Sequence, residues 1–281
     1  MITVSEFFSY FSYSYVRAAL AVGTLVALCA SLLGVVLVLK RYSYLGDGLS
    51  HVAFGAMALS VVLNLADSLF VVMPVTITVA ILLLCSPASS KIHGDAALAM
   101  LSVGSLALGY VILNLFPASS NIAADVCSSL FGSSSILTLG GGEVVLCIIM
   151  SAVVLCVFFL CYNKIFSLTF DPDFMQAAGG GARAYNLLVA VLCAVVISLS
   201  MRLVGSLLVS ALIIFPAISA MSVARGFGKV MVLSSVIGIT CALFGMILSM
   251  IFSTPSGASI VLCDVLAFAV CKCIGSLRGA K

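Results

Sequence analysis

The chain has 281 residues, no tryptophan and only 7% charged residues. Soluble domains carry about 25% charge. So little charge excludes an ordinary cytosolic enzyme, and also a disordered tail, which would be polar and highly charged. Without Trp, any aromatic belt at a membrane surface must be built from Tyr and Phe. A G-x-x-x-x-G-K-[ST] phosphate loop is missing, since Gly226-Phe-Gly-Lys229 has neither the spacing nor the hydroxyl. ATP, if used, is therefore hydrolysed by another polypeptide. No H-E-x-x-H or other three-ligand set occurs, which argues against an intramembrane metalloprotease. The eleven cysteines contain no C-x-x-C pair, so neither a zinc ribbon nor a disulfide framework is supported. Net charge is +3, with no basic patch interleaved with aromatics, which gives no support for nucleic-acid binding.

What is present is apolar. Hydrophobic residues make up 64% of the chain and mean hydropathy is +1.37. Spanning-length runs fall near 16–39, 46–65, 69–85, 95–115, 143–162, 185–200, 203–223, 230–252 and 258–274. The expected fold is an all-α polytopic membrane protein of eight or nine helices, one transmembrane domain over 16–278. Ala66-Asp67-Ser68 and Met201-Arg202 alone separate the second from the third run and the sixth from the seventh. Nine spans put all of the twelve Lys and Arg except Arg17 and Arg202 on one side. The positive-inside rule then places the C-terminus in the cytosol and the N-terminus outside. Residues 1–15 carry Glu6, many aromatics and no basic n-region, which suits an interfacial helix in contact with lipid better than a signal peptide.

Two stretches do not span. Residues 117–142 are rich in Ser and Gly and lie outside on this topology, with Leu130-Phe131 touching the interface. Residues 163–184 form the longest cytosolic segment. There Asp171-Pro172-Asp173 starts a helix and Gly179-Gly180-Gly181 stops it, leaving an exposed helix of about two turns.

The chemistry gathers in Arg41-Tyr-Ser-Tyr-Leu-Gly-Asp47-Gly-Leu-Ser-His51, which leads into the second run. Asp47 and His51 stand at i and i+4, on one helix face. A carboxylate with an imidazole suits a borderline divalent ion such as Zn²⁺, and tolerates Mn²⁺ or Fe²⁺. The alternative is that Asp47 caps the helix and His51 bonds a carbonyl. Two donors hold a metal loosely, which favours a transit site over a structural zinc. Ser206 and Ser210 share a face and fit either a wet path or close helix packing. Pro216, inside an apolar run, fits a hinge or a pore-facing break. His93 reads as a solvated turn residue and Asp95 as a cap. Asp264 could occupy a polar cavity or pair with Arg202, and Cys271-Lys272-Cys273 could hold a soft metal.

The stretch RYSYLGDGLSHVAFGAMAL resembles the first signature of the membrane permease of ABC importers for zinc, manganese and iron, the ABC-3 family. Further matches run in order. Asp95 precedes Gly109 by fourteen residues, and Ser129-Leu-Phe-Gly132 resembles an outer loop. Asp171-Pro172-Asp173 through Gly179 resembles a cytosolic coupling segment. Val204-Gly-Ser-Leu-Leu-Val-Ser210-Ala-Leu-Ile-Ile-Phe-Pro216-Ala217 and Thr254-Pro-Ser-Gly257 complete the series, which covers roughly residues 16–272.

The resemblance implies a fold similar to vitamin B12 and siderophore importers, and a transport subunit rather than an enzyme. It implies a second permease chain, as a homodimer or related heterodimer, in the bacterial cytoplasmic (inner) membrane. Cytosolic ABC ATPase subunits would dock near Asp173, Ala177 and Gly179, and an extracytoplasmic metal-binding protein would deliver the ion to Asp47 and His51. No permanent cofactor is expected; the divalent metal is cargo. Departures are Ser133 where zinc members often carry an acid, Val103 where some carry His, and Phe54-Gly55 where manganese members often show Pro. The spacing around Gly46-Asp47 is more similar to the zinc branch, so zinc is expected ahead of manganese or iron. A proton-coupled secondary metal transporter, with Asp47 as proton carrier, is the alternative function.

Overall fold

The computed structural model describes residues 13–63, 65, 68–84, 94–116 and 141–277, and the backbone alone at 94, 95, 202–204, 206 and 207. Residues 1–12, Asp67, His93 and the outer segment 117–140 lie outside the described residues, as do the side chains of Asp95, Arg202 and Ser206.

All regular structure among the described residues is helical. In chain order the helices are α1 Ser14–Leu39, α2 Leu45–Val62, α3 Leu69–Leu84, α4 Gly94–Leu115, α5 Gly141–Leu160, α6 Tyr162–Phe170, α7 Pro172–Ala177, α8 Ala182–Val204, α9 Ser206–Val223, α10 Phe227–Phe252 and α11 Ser256–Leu277. Seven are long and apolar enough to cross a bilayer, and α3 with the Leu208–Val223 part of α9 are shorter apolar helices. Together they account for the nine apolar runs of the sequence.

The break between the sixth and seventh runs differs in place from the expectation. Hydropathy puts it at Met201-Arg202, whereas α8 continues to Val204 and the chain turns at Gly205, with φ 87° and ψ 158°. That conformation is open essentially to glycine alone. The 163–184 segment likewise holds two helices, not one. Ile165 and Leu168 bury one face of α6, while Phe166 and Phe170 gather round Phe227 at the start of α10.

Helix α1 is the hub. It packs against α8, α9, α10 and α5. In its most apolar stretch 72% of the residues are buried, against 17% in α4 and α11, so these lie at the edge. A Cβ on Gly34 would stand 2.0 Å from the Ile213 carbonyl oxygen, so the α1–α9 approach requires glycine there. The two short helices each contain a proline, Pro74 in α3 and Pro216 in α9. Each proline removes the N–H that would have bonded the carbonyl four residues earlier. In α3, Thr78 donates its hydroxyl to the Pro74 carbonyl at 2.7 Å. Thr76 meets Ser198 of α8 at 2.8 Å, a buried hydroxyl pair that fixes α3 to α8. At one end of the bundle Asn186 of α8 accepts from Lys40 at 2.6 Å and donates to the Leu84 carbonyl, which ties the ends of α1, α3 and α8 together.

Candidate metal-transit site

The site begins where α1 stops. The Arg41 N–H donates to the Val38 carbonyl at 3.1 Å and the Tyr42 N–H to that of Leu37 at 2.9 Å. This closes a Schellman turn with Arg41, φ 63°, in the left-handed position that glycine usually fills. After three more residues α2 starts, and Asp47 falls in its first turn. A carboxylate there is favoured by the positive end of the helix.

One turn on, His51 Nε2 stands 3.5 Å from Asp47 Oδ1. That is wider than a good hydrogen bond. It is close to the spacing of about 3.4 Å that two donors adopt when each lies ~2.0–2.2 Å from a tetrahedral ion. The carboxylate faces the imidazole across that gap. The two groups differ in access: the Asp47 side chain is 40% exposed and that of His51 9%. The buried His51 Nδ1 has no hydrogen-bond partner. Metal-ligating histidines are usually oriented by a partner on the second nitrogen, and His51 has none among the described residues.

Asp47 opens on a cleft of about 350 Å³ between α2 and α4, lined by Tyr44, Asp47, Leu98, Ser102 and Val103 among others. The two helices meet closely, since Gly109 of α4 approaches Phe54 and Gly55 of α2. On another flank, a Cβ on Gly46 would meet Ile213 at 3.0 Å and the Ser210 backbone at 3.4 Å. The fold therefore brings Ser210, half-buried on α9, beside the start of α2. Pro216 lies farther along α9 and is buried inside a continuous helix. No group of three or more His, Cys, Asp or Glu side chains able to hold a metal occurs among the described residues, so one chain offers two donors here.

Asp173, Ala177 and Gly179 occupy a different surface. Asp171 caps α7 by accepting the Phe174 N–H at 2.8 Å, with Pro172 in the first turn. Met175 is buried, whereas Asp173, Phe174, Ala177 and Gly179 are exposed. Cys271 and Cys273 diverge, one half-buried and one exposed, and Lys272 between them lies 5.7 Å from the Phe268 ring. Tyr44 and Ser102 are cleft residues that sequence reasoning missed. Tyr44, three before Asp47, shares its face and was findable by spacing. Ser102 carried no signal, because its place depends on how α4 packs.

Residues 12–274 match the ABC 3 transport family. The high-affinity zinc uptake membrane protein ZnuB of Haemophilus influenzae is 29% identical, covering 89% of this chain and 94% of that protein. The manganese import permease ScaB of Streptococcus gordonii is 27% identical, over 92% of this chain and 90% of its own. The solved structure of PsaBC from Streptococcus pneumoniae in complex with Fab superposes with a TM-score of 0.83 at 26% identity, over 96% of this chain and 95% of that one. With its multi-pass helical fold, the chain is a member of the ABC 3 transport family of membrane permeases.

Proposed function

We propose that this chain is the permease subunit of an ATP-driven importer of divalent metal ions, and that Asp47 and His51 are the transient ligands of the ion. The observation that carries the proposal is the pair itself: a carboxylate open to the α2–α4 cleft and a buried imidazole one turn away, 3.5 Å apart. Such a site admits an ion yet releases it, as conduction demands. Two donors per chain leave coordination to be completed by water or by the second permease chain. The permease unit spans 16–278, with the exposed face of α7 (Asp173, Ala177 and Gly179) turned to cytosolic ATPase subunits. An extracytoplasmic binding protein delivers the ion on the opposite side. The chain lies in the cytoplasmic membrane with its basic loops and C-terminus inside. Zinc is the expected cargo ahead of manganese or iron, because the spacing around Gly46-Asp47 is more similar to the zinc branch of the family.

The test is metal uptake by cells expressing Asp47→Asn or His51→Ala, with co-purification of the ATPase as the control for assembly. Uptake is lost while the complex still assembles. Normal uptake by both variants removes the pair from the path. Supplying Zn²⁺, Mn²⁺ and Fe²⁺ separately to a deletion strain identifies the cargo, and restoration specific to manganese overturns zinc. Metal movement by the purified chain alone, driven by a pH gradient, would instead make it a secondary transporter.

A further inference from the structure

A second acid lies deep in the bundle, unused by the path above. Asp264 is eight residues into α11 and 1% exposed. Neither of its carboxylate oxygens has a hydrogen-bond partner. The Cys241 thiol of α10 is the neighbouring group that faces it across the seam. Helix register explains the pairing. Gly245 lets α10 touch α11, since a Cβ there would stand 2.5 Å from the Ile260 Cα. Cys241 is one turn from Gly245 and Asp264 one turn from Ile260, so antiparallel neighbours set the two side by side. Cys263 and Cys271 of α11 lie close enough to feel the same thiol. Lys272, on the same helix as Asp264, is turned onto the Phe268 ring.

A buried carboxylate without a partner costs several kcal/mol in an apolar surrounding. A thiolate, a carboxylate and a divalent cation sum to zero charge, which is the arrangement hydrocarbon tolerates best. Sulfur beside oxygen selects a soft or borderline ion such as Cd²⁺ or Zn²⁺. We propose that Cys241 and Asp264 form a binding site for a thiophilic divalent cation across the α10–α11 seam, separate from Asp47 and His51. Binding displaces the protons of both the thiol and the buried carboxyl and joins the two helices through the metal.

The experiment uses the full chain in lipid nanodiscs with Cd²⁺ as probe, in an Asp47→Asn/His51→Ala background that silences the proposed transit pair. Cadmium is expected to bind with a thiolate-to-metal charge-transfer absorbance. Cys241→Ser and Asp264→Asn each weaken that binding by about tenfold or more. Asp264→Cys, which supplies a second thiolate, tightens Cd²⁺ binding by about tenfold, a gain that misfolding cannot imitate. An absorbance and affinity unchanged by Cys241→Ser, or no gain in Asp264→Cys, overturns the proposal. Both readouts are independent of uptake through Asp47 and His51.

Discussion

Asp47 and Asp264 are both acids in apolar helices, and the fold treats them in opposite ways. Asp47 stands in a first turn, near the positive end of α2, with a cleft on one side and an imidazole one turn away. Asp264 is sealed two turns into α11, against a thiol and with no hydrogen bond. Water and ions can reach the first without any helix moving. The second can gain a partner only from something that enters the α10–α11 seam. Composition makes the two residues equal; access separates them.

The largest expected effect is on transport. Asp47→Asn lowers metal uptake about a hundredfold or more while thermal unfolding hardly changes, because the side chain gives the fold no buried bond. Asp264→Val, assayed in chelated buffer, has the converse signature. Removing an unpaired buried carboxyl raises stability by about 1–3 kcal/mol, read as a higher unfolding temperature. A fall in stability would show that Asp264 is satisfied and would erase the contrast. Val103 lines the cleft and is exposed, so Val103→His adds a third donor at little cost to packing. Equilibrium metal binding by that variant tightens about tenfold and turnover slows, as a transit site becomes a trap. The smallest effect belongs to an acid that only caps. Asp171→Ala costs about 1 kcal/mol at the start of α7, measured as a small drop in unfolding temperature, and Asp171→Asn restores it.

The sequence made some of this legible and concealed the rest for physical reasons. The apolar runs declare themselves by length, and Asp47 with His51 by i, i+4 spacing. The cap at Asp171 and the stop at Gly179 are local chemistry, readable without tertiary context. Gly205 was not legible as the break, because Arg202 dominates hydropathy while φ belongs to the backbone. Helix α6 was hidden because Phe166 and Phe170 are secured by Phe227, some sixty residues away. Ser102 and the Cys241–Asp264 pair depend on how separate helices register, which no short window of sequence contains.

Helix α2, the carrier of Asp47 and His51, packs against both of the proline-bearing short helices, α3 and α9. Behind α9 run α1 and α10, 26 residues each and unbroken by proline, while α3 backs onto α8. A missing backbone bond lowers the stiffness of a helix at that turn, so an equal load bends α3 and α9 more than α1 or α10. The Asp47–His51 pair thus rests on compliant walls, and a load on the bundle bends the surroundings of that pair before it bends α1 or α10.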